Sequence, residues 1–211
     1  MDEIYFSIAD QVSSLIKIEG SKFFADVFPI DSEEEAEKYL QGICKKYYAA
    51  THHCFAYALG AERATVRYSD DGEPSGTAGV KILSAIQSKN LSDLIVIVTR
   101  YFGGIKLGVG GLGRTYFDTA CEGLLHAVIV KKVVMQSFEI HFPFTDTNPV
   151  MNLVTTQKLA IVNRAYTDIE TMLTVLAKPS HIQTLIESLT NATRGKATCI
   201  AGIQKTITLK Q

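Results

Sequence analysis

The stretch that most constrains this chain is DLIVIVTRYF, residues 93–102, in which every position from Leu94 to Val98 is apolar. A strand wetted on one side alternates apolar and polar residues. An unbroken apolar run needs cover on both faces, which predicts a central strand with a further layer on either side. Leu15–Ile18 and Phe23–Phe28 flank Glu19-Gly20-Ser21 and read as a hairpin. HHCFAYALG (52–60) and RATVRYSDD (63–71) supply two more strands.

Helices announce themselves between these strands. In DSEEEAEKYLQGICKKYY, Ser32 can cap a helix with Glu35 three residues later, acids fill the first turn and Lys45-Lys46 the last. Ala36, Tyr39, Leu40 and Ile43 recur at the spacing of a buried stripe. After the turn signals Asp71-Gly72 and Pro74–Gly76, TAGVKILSAIQS reads as a second helix capped by Thr77 or Ser75. A third follows a glycine loop, with Leu112, Tyr116, Ala120, Leu124 and Val128 repeating to about Val130.

Beyond that point the order changes. Met135–Phe142 reads as strand, Asn148–Lys158 as helix, Ala160–Thr167 and Glu170–Ala177 as strands, Ser180–Asn191 as helix and Thr198–Leu209 as a closing strand. The order βαββαβ is the ferredoxin-like pattern. The expected class is therefore α+β in two domains, residues 1–133 and 134–211.

The charge balance is nearly even. The net charge is −1, divided as −3 over residues 1–136 and +2 over 137–211, so no strong field draws the molecule to nucleic acid and no DNA specificity is expected. No apolar run reaches the roughly 18 residues of a membrane span, and the start MDEIYFSIAD has neither the basic nor the apolar block of a signal peptide. Cys44, Cys54, Cys121 and Cys199 are scattered without a C-x-x-C pair, which suits a reducing compartment. A cytoplasmic location is expected.

GVGGLGRTYFDTA (108–120) spells the dinucleotide fingerprint with Gly108, Gly110 and Gly113, and comes one residue from a P-loop. Neither context holds. The preceding strand ends near Val98–Arg100, the acid expected about 20 residues on is absent from Val128–Val134, and Arg114 replaces the P-loop lysine. Yet Gly103, Gly104, Gly108, Gly110, Gly111 and Gly113 crowd one window with Arg100, Lys106, Arg114, Tyr101 and Phe102. Two readings stay open: a tight structural loop, or amides, cations and rings that receive an anionic or planar partner. Tyr47-Tyr48 beside Lys45-Lys46 repeat the cation-and-ring combination that binds single-stranded RNA, and that also fills core edges.

Other candidates carry plainer alternatives. Asp70, Asp71 and Glu73 form an acidic turn that could hold Mg²⁺ or Ca²⁺, although the spacing fits no calcium loop and a hairpin turn explains it. His52 and His53 are neighbours on a strand, so they face opposite sides, one toward core and one toward surface, and cannot share a metal. Cys54 has no zinc-type spacing around it. Ser75 and His52 are the best-placed hydroxyl and imidazole, but no G-x-S-x-G elbow exists and Ser75 reads as a cap. No metal and no cofactor is expected.

SDDGEPSGTAG (69–79), VTRYFGGIKLGVGGLGRTY (98–116) and YAATHHCFAYALG (48–60) together closely resemble the signature blocks of the IMPACT/YigZ family, over roughly residues 18–130. His53 stands where eukaryotic members often have Asn, so His52 is the histidine carried over. The resemblance implies a sheet-and-two-helix first domain of the ribosomal protein S-five domain 2-like class. A second, ferredoxin-like domain then makes the pair resemble domains IV and V of elongation factor G, a ribosome- or RNA-facing module. Eukaryotic relatives are implicated in translational control through a large regulator of a stress kinase.

The expected function is a non-enzymatic, translation-associated role, with ribosome, RNA or a translation-regulatory protein as partner. Arg100 and Arg114 are expected to engage phosphate through paired hydrogen bonds, with Lys106 as a point charge and Tyr101 and Phe102 as rings. Gly103, Gly104, Gly110 and Gly111 would admit a partner to the backbone, with His52, Asp70, Asp71 and Ser75 alongside. The alternative is an enzyme acting on a small phosphorylated or nucleotide substrate through the glycine loop and a metal held by the acidic turn. A protein-only adaptor is the third reading.

Overall fold

The computed structural model describes residues 3–209, and its contacts divide them into two compact units, residues 3–132 with 209 and residues 133–208. It is a mixed α+β structure built on antiparallel sheets. No helix among the described residues is long and apolar enough to cross a membrane.

In the first unit, β1 (Ile4–Ile8), β2 (Val12–Ile18), β3 (Ser21–Pro29), α1 (Glu33–Lys46), β4 (His52–Leu59), β5 (Thr65–Ser69), α2 (Gly79–Ser88), β6 (Leu94–Tyr101) and α3 (Gly108–Leu125) follow in that order. The main sheet runs β2-β3-β6-β4-β5, so the apolar strand is central. Its two faces explain its composition. Leu94, Val96 and Val98 enter a core shared with Ile82 and Ile86 of α2 and Leu112 and Tyr116 of α3. Ile95 and Ile97 enter a second core with Ala36 and Ile43 of α1. Each of these β6 side chains, fully buried, contributes about 1.5–3 kcal/mol.

The turn at Glu19-Gly20 has φ of 45° and 75°, the left-handed pair that joins two twisted strands in a tight hairpin. Ser32 caps α1 by accepting from the Glu35 N–H at 3.2 Å, and Glu35 reaches back to the Asp31 N–H at 2.8 Å. Strand β1 had no counterpart in the sequence reading. It is anchored by a parallel bridge from Phe6 to Leu91 and by Tyr5 donating to the Asp93 carboxylate at 2.5 Å.

Two helix starts differ from expectation. The glycine-rich stretch from Gly108 to Gly113 is itself the opening of α3, so the loop covers only residues 102–107. Helix α2 begins at Gly79 and is capped by neither Ser75 nor Thr77. Asp70 does this from the preceding turn, one carboxylate oxygen accepting from the N–H groups of Ala78 and Gly79 at 2.9 and 2.8 Å.

The second unit takes β7 (Ile129–Pro143, from residue 133 on), α4 (Thr147–Thr156), β8 (Ala160–Tyr166), β9 (Glu170–Ala177), α5 (Ile182–Thr193) and β10 (Thr198–Leu209, to residue 208). Strand β7 lies between β9 and β10, with β8 beyond β9. Phe138, Ile140 and Phe142 of β7 and Leu173 and Val175 of β9 pack on Val150 and Val154 of α4 and Leu185 and Leu189 of α5.

Candidate functional site

Antiparallel pairing brings the start of β4 and the end of β6 to one end of the main sheet, where His52 pairs with Arg100 and Lys22 with Tyr101. The acidic turn and the start of α3 close over this end. Together they form a cleft of about 440 Å³ lined by, among others, His52, Glu73, Arg100, Phe102, Lys106 and Val109. A second cleft, of about 350 Å³, is lined by Gly20, Lys22, Phe24, Tyr47, Tyr101 and Phe102. Phe102 belongs to both.

Alternation along β6 sends Arg100 toward α2 and α3 and Tyr101 toward α1. Arg100 is not the open phosphate contact expected from sequence. Only 6% of it is exposed, and Nη1 donates to Glu73 Oε1 at 2.7 Å. Its guanidinium carbon lies 5.2 Å from the centre of the Phe23 ring and 5.3 Å from that of Phe102. Its Nε is buried without a hydrogen-bond partner.

Tyr116 also donates to Glu73 Oε1, at 2.8 Å, and its hydroxyl lies 3.4 Å from Cys54 Sγ, whose own proton goes to the Asp70 carbonyl. Burial pushes both the Cys54 and Tyr116 pKa values well above their ordinary range, so both stay protonated and act as structural donors. Tyr116 and Cys54 were missed as site residues. Helical spacing marked Tyr116 as core, and no local pattern tells that a buried hydroxyl meets a carboxylate from a distant turn.

The three acids of the turn serve different partners. Asp70 accepts from Gly76 and α2, Asp71 Oδ2 accepts from the His53 N–H at 2.6 Å, and Glu73 holds Arg100 and Tyr116. Burial raises the Asp70 pKa, but the N–H groups of Gly76, Gly79 and Ala78 outweigh it and hold the carboxyl below its ordinary value. No group of three His, Cys, Asp or Glu side chains converges as a metal site among the described residues. The metal-holding turn of the enzyme alternative therefore lacks converging oxygens. Ser75 is exposed in the turn.

His52 and His53 do face opposite sides, yet both are half-buried rather than one in and one out, because β4 begins at this open end. His52 Nδ1 lies 2.6 Å from the Asp71 carbonyl, and His53 Nε2 lies 3.2 Å from the Tyr47 carbonyl. A carbonyl can only accept, so these contacts place the ring proton on Nδ1 of His52 and on Nε2 of His53. The remaining His52 nitrogen, Nε2, stands 3.9 Å from Glu73 Oε2.

The glycines divide by what surrounds them. A Cβ on Gly103 would collide with the backbone of Gly20 and Ser21, and one on Gly113 would press on Lys81 of α2. Gly104 and Gly108 adopt φ of +88° and +71°, the left-handed region glycine favours. Gly110 has neither reason, with open space where a side chain would go, and Gly111 meets only the Leu107 Cβ at an ordinary 3.5 Å. Arg114 is exposed on α3 and lines neither cleft, so it does not join Arg100 in lining the larger one.

On the second cleft, Phe24 stacks on Tyr47 with centroids 5.1 Å apart and meets Tyr101 edge-on at 6.0 Å. Lys46 Nζ sits 4.5 Å from the Tyr47 ring centre. The aromatic-and-basic pairs around residues 47 and 101, distant in sequence, thus converge. Tyr48 is 86% exposed and lines neither cleft.

Fold and site define an α+β protein with two clefts, rich in rings and cations, at one end of a central sheet. The Impact N-terminal domain family matches residues 19–124. The chain is 39% identical over 148 residues to the IMPACT family member YvyE of Bacillus subtilis, spanning 70% of this chain and 68% of that one. It is 28% identical over 160 residues to YigZ of Escherichia coli, spanning 75% and 78%. The crystal structure of a hypothetical protein superposes with a TM-score of 0.68 at 24% identity, over 96% of this chain and 99% of that one. The chain belongs to the IMPACT family.

Proposed function

We propose that this protein is a cytoplasmic, non-enzymatic regulator of translation that contacts the ribosome or RNA through the sheet end bearing the two clefts. IMPACT family membership implies a translation-related regulatory role. The observation that carries the partner class is the sharing of Phe102 between the clefts. It sets the rings of Phe24, Tyr47, Tyr101 and Phe102 in one surface with Lys22 and Lys106. Bases stack on such rings for about 1–3 kcal/mol each, while the cations follow the backbone.

The architecture supports the same reading. The order β10-β7-β9-β8 is that of a ferredoxin-like domain, assigned to residues 134–211. Residues 1–133 are read as the ribosomal protein S-five domain 2-like partner, the pair resembling domains IV and V of elongation factor G.

The test is co-sedimentation with ribosomes and separated subunits at low and moderate salt. The variant for comparison is Lys22→Ala/Lys106→Ala/Arg114→Ala, because these exposed cations can be removed without opening the core, unlike Arg100. Binding that falls with salt and is lost in the variant supports the proposal. Absence from the pellet at every salt concentration overturns it.

A further inference from the structure

We infer that the larger cleft is a receptor for a phosphomonoester attached to a nucleoside, supplied either by a free nucleotide or by an RNA end. This rests on the RNA-facing reading of the same surface but makes a narrower claim.

The first observation is the start of α3. Leu107, Gly108 and Val109 line the cleft, the helix runs 18 residues, no side chain caps it and no acid occupies its first turn. Its first N–H groups are free of intrahelical partners and carry the positive end of the helix dipole. The second is Arg100. It lines the same cleft, is more than nine-tenths buried, and commits Nη1 to Glu73 while Nε has no acceptor. A buried guanidinium N–H without a partner is destabilising, and an oxyanion brought within reach would relieve it. Lys106, exposed at the rim, adds a charge that no carboxylate of the cleft balances, since Glu73 is paired with Arg100.

A helix end, the Arg100 guanidinium and an exposed ammonium border one volume. That suits a tetrahedral dianion better than a flat carboxylate. The rest of the cleft suits what the phosphate is attached to. Phe102, Pro74, Leu107, Val109 and Leu112 offer an apolar wall for a base. His52 Nε2 and Glu73 Oε2, 3.9 Å apart, present two acceptors to a sugar hydroxyl. Exposed Gly110 and Gly111 leave the helix backbone approachable from this end.

The experiment measures binding by calorimetry and fluorescence anisotropy. The probes are single-stranded oligoribonucleotides carrying a 5′-phosphate, a 3′-phosphate or neither, together with AMP, GMP and inorganic phosphate. Val109→Asp brings a competing carboxylate to the cleft, and Val109→Asn controls for its shape. Val109 is 69% exposed, so both variants should fold. A phosphorylated end should bind about tenfold or more tightly than the hydroxyl end, as expected for charge-assisted hydrogen bonds, with the preference lost in Val109→Asp and kept in Val109→Asn. Equal binding of all three oligonucleotides, with no binding of the mononucleotides, overturns this inference and leaves the RNA reading standing. If no oligonucleotide binds but AMP or GMP does, sensitive to Val109→Asp, the RNA reading fails and the phosphomonoester site is supported with free nucleotide as its source. Binding of none of the probes, or of inorganic phosphate alone, overturns the site.

Discussion

Asp70 closes a helix to which it does not belong: its Oδ1 lies 2.8 Å from the N–H of Gly79, the first residue of α2. The same oxygen takes the Ala78 N–H and its partner Oδ2 takes that of Gly76, so one carboxylate organises the turn that walls the larger cleft. Replacing it with alanine strips the cap and should lower stability by about 1–2 kcal/mol in urea titrations. Asparagine, which keeps one oxygen, should lose less.

The same carboxyl predicts an acid dependence. Its folded pKa lies below the ordinary 3.8, so its contribution is present above that value and disappears as pH falls through the folded one. The stability difference between the wild type and Asp70→Ala, measured at a series of pH values, should be constant near neutrality and shrink below about pH 3.8. A difference that grows on acidification would show the sign to be wrong.

Arg100 and Glu73 form a buried pair with side-chain exposures of 7% and 4%. Removing one partner leaves an uncompensated charge, so Glu73→Gln and Arg100→Met should each cost about 3–5 kcal/mol. The double variant should cost well under the sum, because neither charge is then stranded. Additive losses would show that the pair is not energetically coupled.

These relationships mark what could be read from sequence and what could not. The central position of β6 was legible because burial on two faces leaves an unbroken apolar run, and α1 because its cap, charges and stripe are all local. Arg100 looked like a surface cation because its acceptor lies 27 residues away in a turn. The start of α3 reads as loop in the sequence because glycine disfavours helix, a preference overridden where Gly113 lets α3 approach Lys81 of α2 and Gly123 lets it approach Ala25 of β3. For α2 the capping residue stands nine positions ahead of the helix, beyond any local capping pattern. Of the site, the rings and cations were visible as two separate pairs. Their meeting at Phe24 depends on the antiparallel register of β3 and β6.

Cys54 should be the least reactive of the four thiols. It is fully buried, donates to the Asp70 carbonyl at 3.0 Å, and has its pKa driven up by desolvation. Alkylation of native protein followed by peptide mapping should label Cys44, Cys121 and Cys199, which are partly exposed, well before Cys54. Labelling of Cys54 should become comparable only when urea unfolds the first unit. Rapid labelling in the native state would place a reactive thiolate where the structure holds a neutral donor.

Two glycines a few residues apart should respond to alanine in opposite directions. At Gly103 the added methyl meets the backbone of Gly20 and Ser21, which cannot move without opening the β2–β3 hairpin, so Gly103→Ala should cost about 1–3 kcal/mol. At Gly110 the methyl enters open space in an exposed helical turn, where alanine is favoured over glycine, so Gly110→Ala should gain up to about 1 kcal/mol. A stabilising substitution that weakens binding would show that the bare backbone at residue 110 serves a partner rather than the fold. Gly110→Ala should therefore raise the melting temperature and reduce ribosome or oligonucleotide binding in the same preparation. Higher stability with unchanged binding would remove Gly110 from the contact surface.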